Sequence, residues 1–203
     1  MFISPSAQLK DFIRVEENIF DSDFCDKVIE EYEKDIHWEK AQTFKNNIDV
    51  RTNDFLQISH NYLMSKNEVR KLYDDFLFSK IFPLIKEYAD NFEGYLKYVK
   101  DSGFSLLRYR VGEYYKEHVD ESPRVESDSN GKIIPETLHK RKLTVVIQLN
   151  DDFEGGGLAF FHRAYKTEVK KGSVVIFPSN YLFPHEALPV TKGTRYSLIT
   201  WVD

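Results

Sequence analysis

In the segment Tyr109-Arg-Val-Gly-Glu-Tyr-Tyr-Lys-Glu-His118-Val-Asp120, an imidazole and a carboxylate stand two residues apart. A second imidazole, His185, and a guanidinium, Arg195, follow far downstream. In an extended strand the side chains at i and i+2 leave the same face, so His118 and Asp120 can grip one ion together while Val119 points away. The third ligand must come from another part of the fold, and His185 is the candidate. Two imidazoles and a carboxylate are the facial ligand set of non-haem Fe(II), and they leave three octahedral positions open. That is room for a bidentate small acid and dioxygen, the constellation of an oxygenase. With 6 His and 33 acidic residues a His-x-Asp also arises by chance, so the neighbouring sequence decides.

Four runs follow the pair in order. They are Arg141-Lys-Leu-Thr-Val-Val-Ile-Gln-Leu-Asn150, Asp152-Phe-Glu-Gly-Gly-Gly-Leu-Ala-Phe-Phe161, Lys171-Gly-Ser-Val-Val-Ile-Phe-Pro178 and His185-Glu-Ala-Leu-Pro-Val-Thr-Lys-Gly-Thr-Arg-Tyr-Ser-Leu-Ile-Thr-Trp201. In that order and spacing the chain resembles the catalytic domain of the 2-oxoglutarate and Fe(II)-dependent dioxygenases, in their prolyl 4-hydroxylase-like branch. The likeness covers about residues 100 to 203, with a looser match in the helical N-terminal half. It implies an α+β fold with a double-stranded β-helix (jelly-roll) core and N-terminal supporting helices. It also implies Fe(II), 2-oxoglutarate and O2, with ascorbate as a possible further cofactor. The implied activity is that of a procollagen-proline 4-dioxygenase-like hydroxylase, and the implied partner is a peptide or protein containing proline.

The same resemblance suggests roles residue by residue. His118, Asp120 and His185 are the metal ligands, Arg195 binds the distal carboxylate of 2-oxoglutarate, and Tyr109 helps to hold that co-substrate. Collagen-type enzymes commonly carry Lys where Arg195 stands, so Arg195 is similar to the intracellular and bacterial types. Thr144 and Gln148 face one side of their strand and are candidates for further hydrogen bonds to 2-oxoglutarate, although similar enzymes often have Tyr in place of Gln148. Trp201 and Arg124 are candidates for substrate binding. Each also has an ordinary structural reading: Tyr109 and Trp201 as core aromatics, Arg195 as a surface residue of an edge strand. Alone, Arg195 reads as that surface residue; the triad and the resemblance favour the functional reading, in which a guanidinium inside a barrel, costly unless an anion pairs with it, is met bidentately by a carboxylate.

The elements that must position these groups can be read from the pattern. Residues 12 to 20 read as a short strand and turn, followed by a helix capped by Asp21 or Ser22 and running to Lys34, with Phe24, Val28, Ile29 and Tyr32 as its stripe. A second helix is expected from about Ser65 to Phe92, with a break or kink near Phe82 because Pro83 lies inside it. Between the helices, His37 to Ile58 reads as two strands joined by a turn at Lys45-Asn46-Asn47. From Tyr95 onward short β-rich runs suit an antiparallel sandwich or barrel. Leu143, Val145, Ile147 and Leu149 take one face of their strand, and Thr144, Val146, Gln148 and Asn150 the other. Glu121 to His139 is a long polar loop leaving the ligand pair, expected to act as a lid. Gly155-Gly156-Gly157 lacks the Lys-Ser/Thr of a phosphate loop and reads as a tight turn with positive φ. His37, His60, His139 and His162 have no partner at ligand spacing and read as structural or surface residues.

At 203 residues the chain reads as one domain over 1–203, with 1–94 as helical support and 95–203 as the catalytic core. With 41% hydrophobic and 15% aromatic residues it can bury a substantial core. A formal net charge of −5 argues against a nucleic-acid partner. The N-terminus lacks the features of a signal peptide, no run reaches the ~18 apolar residues of a membrane span, and Cys25 is the only cysteine. A cytoplasmic location is therefore expected, while the oligomeric state is open. Other functions compatible with the motifs are an oxygenase acting on a free amino acid, another side chain or a nucleobase, and a hydrolase or isomerase with the same metal ligands. A non-enzymatic jelly-roll binding protein is the remaining alternative.

Overall fold

The computed structural model describes residues 6–41, 50–59, 61–92, 94, 96, 98, 100–121, 123–124 and 139–203. In the first half lie β1 (Arg14–Glu16), α1 (Ser22–Glu33), β2 (Glu39–Lys40), β3 (Asp54–Gln57), α2 (Asn61–Lys66) and α3 (Glu68–Asp90). There follow β4 (Ser105–Tyr109), β5 (Tyr115–His118), β6 (Pro123–Arg124), β7 (His139–Lys140), β8 (Leu143–Gln148), β9 (Glu154–Gly155) and β10 (Leu158–Phe160). The chain ends in β11 (Tyr165–Lys166), β12 (Val174–Pro178), β13 (His185–Ala187), β14 (Val190–Lys192) and β15 (Arg195–Val202). Seven strands form an antiparallel sheet in the order β1-β12-β8-β15-β4-β3-β2, and four form a second in the order β11-β10-β13-β5. Strands β1, β2 and β3 come from the first half of the chain and occupy both edges of the larger sheet.

The alternation in β8 separates two cores. Leu143, Val145, Ile147 and Leu149 pack with Val28 and Tyr32 of α1 and with Leu77, Ile81 and Ile85 of α3. Val146 faces the other way, into a cluster with Phe160, Phe177 and Ala187 that joins the two sheets. The helix α1 starts where expected: the Asp21 carboxylate accepts from the Phe24 amide at 2.7 Å, satisfying one free donor of the first turn. Of the break or kink expected near Phe82, the break does not occur, since α3 runs unbroken with Pro83 inside it. Pro83 and Ser79 are both exposed, so the carbonyl that proline leaves unpaired faces water, while Leu77, Ile81, Ile85 and Tyr88 hold the opposite face to the sheet. The glycine turn is as read: Gly155 and Gly156 have φ of +73° and +62°, and a Cβ on Gly155 would lie 2.4 Å from the Pro189 carbonyl oxygen.

The turn expected at Lys45 to Asn47 lies outside the described residues, as does the expected lid apart from its ends, where β6 pairs with β7. Among the described residues no helix is long and apolar enough to cross a membrane.

A buried ion cluster ties β3 to β4 next to the site. Arg108 donates to Asp54 from Nε at 3.0 Å and from Nη2 at 2.7 Å, and Lys40 approaches the same carboxylate at 2.8 Å. Burial alone would raise the Asp54 pKa, but Lys40, Arg108 and Arg110 outweigh it and lower it. A carboxyl with a depressed folded pKa contributes stability above its unfolded value and loses it as pH falls. Asp54→Asn should therefore cost on the order of 3 kcal/mol in urea unfolding at neutral pH, since it strips the main partner from a buried guanidinium. The gap between variant and parent should narrow below about pH 4.

Candidate active site

Strands β5 and β13 pair antiparallel with His118 directly opposite His185. Their rings stand 4.3 Å apart between centroids. Asp120, two residues beyond His118, closes the triangle: its Oδ1 lies 3.4 Å from His118 Nε2 and its Oδ2 lies 3.4 Å from His185 Nε2. One donor atom from each of the three residues lies within 4.8 Å of the other two, which is a metal-binding arrangement. Each imidazole has its Nδ1 on a backbone carbonyl, His118 on Lys116 at 2.8 Å and His185 on Phe183 at 3.1 Å. A carbonyl only accepts, so Nδ1 carries the proton and Nε2 offers its lone pair to the centre of the triangle. Burial opposes ionisation of Asp120, yet His185 and His118 hold it well below the usual carboxylate range. His185 is enclosed by Phe177 and Phe160, at 4.8 and 5.8 Å between ring centroids. Tyr115 stacks on His118 at 3.5 Å.

The triad opens into a cavity of about 390 Å³. Arg195, Ser197, Ile199 and Trp201, alternate residues of β15, form one wall, the face expected from the sequence. Arg195 is fully buried, and burial lowers its pKa against the raising effect of Tyr109, with no carboxylate acting on it among the described residues. Its partners are the Gln148 amide oxygen, 3.1 Å from Nε, and the Tyr109 ring, 5.5 Å from its guanidinium carbon. Ser197 Oγ and Trp201 Nε1, also buried, have no hydrogen-bond partner among the described residues. An unpaired guanidinium and two orphaned donors make a cradle for a polar, anionic molecule beside the metal ligands.

Residues 104–203, which carry all of these groups, match the model of the 2OG-Fe(II) oxygenase superfamily. Through this half of its length, the chain belongs to that superfamily. Fe(II), 2-oxoglutarate and O2 are the cofactors this implies, and the donor set fits them: mixed imidazole and carboxylate for the metal, a buried guanidinium for the acid. A PKHD-type hydroxylase of Idiomarina loihiensis is 35% identical over 105 residues, 49% of this chain and 41% of that protein. Procollagen-lysine,2-oxoglutarate 5-dioxygenase 1 of Rattus norvegicus is 28% identical over 193 residues, 91% of this chain and 23% of that protein. The chain thus spans less than half the length of these relatives. Among solved structures, a prolyl hydroxylase from Trichoplax adhaerens, in complex with a hypoxia inducible factor oxygen degradation domain peptide fragment, superposes with a TM-score of 0.71 at 17% identity. The match covers 94% of this chain and 83% of that one and is a likeness of fold.

Within this 2OG-Fe(II) oxygenase the remaining expected residues fall into two groups. Tyr109 and Trp201 line the cavity. Thr144 and Gln148 do not; their polar atoms are taken by the protein. Thr144 Oγ1 donates to Asp120 Oδ2 at 2.8 Å, and since a hydroxyl has one proton, Ser179, 2.8 Å away, must donate to Thr144. Gln148 accepts from Arg195 while its Nε2 donates to the Asn150 and Tyr196 carbonyls, at 2.9 and 3.1 Å. One residue thus orients a metal ligand and the other orients the guanidinium. The side chain of Arg124 lies outside the described residues. His37 pairs with Asp35 and His162 with Glu117, outside the triad, as the spacing suggested.

Four site residues were not picked out in the sequence: Arg51, Tyr115, Arg141 and Ser179. Arg141 stacks on Trp201 with its guanidinium carbon 3.7 Å from the ring centroid. It opens the run that contains Thr144 and Gln148, two residues before Leu143, so alternation would place it on the helix side and not on the cavity wall. Tyr115 lies three residues before His118 and was legible only as a strand residue.

Proposed function

We propose that the protein is an Fe(II)- and 2-oxoglutarate-dependent hydroxylase acting on prolyl residues of a peptide or protein. In this reading residues 1–203 form one domain, with 1–94 supporting a catalytic core at 95–203 whose two facing sheets are the walls of a double-stranded β-helix. The observation that carries the reading is the buried Arg195, held by the neutral Gln148 amide, on the wall of the cavity onto which His118, Asp120 and His185 open.

Bound Fe(II) and 2-oxoglutarate together supply the oxidising power: the acid leaves as succinate and carbon dioxide, one oxygen atom of O2 goes to it, and the other goes to a C–H bond of the substrate. His118, Asp120 and His185 hold the metal, each ring fixed by its Nδ1–H on a backbone carbonyl and Asp120 fixed by Thr144. Arg195, aimed by Gln148, fixes the far carboxylate of 2-oxoglutarate through a charge-assisted pair. Phe160 and Phe177 keep water from the His185 side. Trp201, capped by Arg141, faces the substrate.

Similarity to a procollagen-lysine dioxygenase across 91% of the chain brings lysyl hydroxylation forward as a second reading. The cavity's charge speaks against it. Among the described residues its wall carries the guanidiniums of Arg51 and Arg195 and one carboxylate, that of Asp120, a surrounding that repels a lysyl ammonium and tolerates a neutral pyrrolidine.

The test is succinate release by the Fe(II)-loaded protein across a panel of proline peptides, lysine peptides and free amino acids, with mass spectrometry of each product. Succinate coupled to addition of one oxygen atom to a prolyl residue is the expected result. Oxygen on lysine alone would replace the prolyl reading, and an absence of succinate from every substrate would refute the hydroxylase.

A further inference from the structure

Arg195 has a reason to be in the cavity, but two further guanidiniums line it. Arg51 is brought there by a stretch of chain laid along β5: the Val50 carbonyl accepts from the Lys116 amide at 2.8 Å, and Arg51 forms a β-bridge with Tyr115. Its Nε donates to Asn53 Oδ1 at 2.8 Å, which fixes the stem and leaves the guanidinium over the Tyr115 ring, 4.5 Å from the centroid. Tyr115 in turn stacks on His118. The Arg51 charge is therefore held one aromatic ring away from a metal ligand, with no carboxylate paired to it among the described residues.

Tyr109 stands between Arg51 and Arg195, and both guanidiniums act on its phenol. The two cations thus mark two anion positions, and 2-oxoglutarate, with one end on the metal and the other on Arg195, leaves the second position open. The charges of a ferrous ion and a dicarboxylate cancel, so among the described residues Arg51 and Arg195 still outnumber the one carboxylate on the cavity wall, Asp120. A charge excess of this kind, partly shielded from water, attracts an anion and discriminates against neutral or cationic competitors.

We propose that Arg51 receives a carboxylate of the primary substrate. This rests on the oxygenase reading of the cavity and extends it to substrate class. The carboxylate belongs either to an acidic side chain flanking the target in a peptide or to the main chain of a free amino acid; both present the same group to Arg51.

The protein loaded with Fe(II) and 2-oxoglutarate, without O2, is titrated at low ionic strength with a Pro-Asp peptide, its Pro-Asn counterpart and free proline. The aspartyl peptide should bind about tenfold or more tighter than the asparaginyl one, the range of a charge-assisted hydrogen bond. Arg51→Gln should erase that preference and Arg51→Lys keep part of it, with 2-oxoglutarate affinity within about twofold of the parent in both. Tight binding of free proline that is lost in Arg51→Gln would support the site and assign the carboxylate to the amino acid itself. Equal binding of both peptides with none of free proline would overturn the proposal, as would a preference that survives Arg51→Gln or a variant that weakens 2-oxoglutarate instead. Substrate-free succinate release in air is measured alongside. Its absence counts against the oxygenase reading, whereas its presence without charge preference counts against the anion receptor alone.

Discussion

Arg195→Met should leave the ligand-free protein at least as stable as the parent while removing the thermal shift that 2-oxoglutarate produces. Both halves follow from one fact: the guanidinium is fully buried, and among the described residues the group that faces it is the neutral amide of Gln148 rather than a carboxylate. Burying an unpaired charge opposes folding, and a hydrophobic side chain of similar length is often neutral or stabilising by about 1–4 kcal/mol at such a place. The Gln148 oxygen loses a donor in the variant, which offsets part of that gain. In the loaded protein the balance reverses, because a desolvated cation paired with a carboxylate is worth on the order of 2–5 kcal/mol on truncation, about thirty-fold and upward in affinity. Differential scanning fluorimetry with and without 2-oxoglutarate reads both effects in one experiment. A variant that melts well below the parent without ligand would make Arg195 a structural cation, and an unchanged ligand shift would move the carboxylate to another residue.

The sequence carried the site as far as local geometry reaches. The i, i+2 rule made His118 and Asp120 a pair, and strand alternation set Arg195 on one face with Ser197, Ile199 and Trp201, the face that lines the cavity. Alternation in β8 likewise separated the helix-side residues from Thr144, Val146 and Gln148. It could not say what those polar side chains meet. Thr144 and Gln148 were read as co-substrate ligands because both face inward, and their bonds to Asp120 and Arg195 depend on which strands lie alongside. Cross-strand register is not a local property. The pairing of His118 with His185 needs β5 and β13 to meet in one register, and Arg51 reaches the site only because residues 50–53 run along β5. No periodicity marks that stretch. That the helix does not break at Pro83 has a similar origin, since the missing hydrogen bond was foreseen but its exposure to solvent was not.

Asp120→Ala should abolish turnover, and Thr144→Val should lower metal affinity or activity by about 10–100-fold, the usual cost of losing a group that orients a metal ligand. Asp120 is the single anionic donor of the triad, set between two imidazoles, and its removal leaves two neutral ligands that cannot define a facial site. Thr144→Val keeps shape and burial while deleting the one hydrogen bond to Asp120 Oδ2, so its effect isolates orientation from ligation. It also leaves Ser179, fully buried, with a donor and no acceptor, so part of any loss in stability belongs to that hydroxyl. Adding Ser179→Ala to Thr144→Val separates the two contributions: it removes the orphaned hydroxyl, and should recover stability while metal affinity stays low. Isothermal titration with Mn(II) as a redox-silent stand-in measures ligation directly, and succinate release measures turnover. Full activity in Asp120→Ala would remove the triad assignment. Unchanged metal affinity in Thr144→Val would show that the two histidine rings alone fix where Asp120 binds.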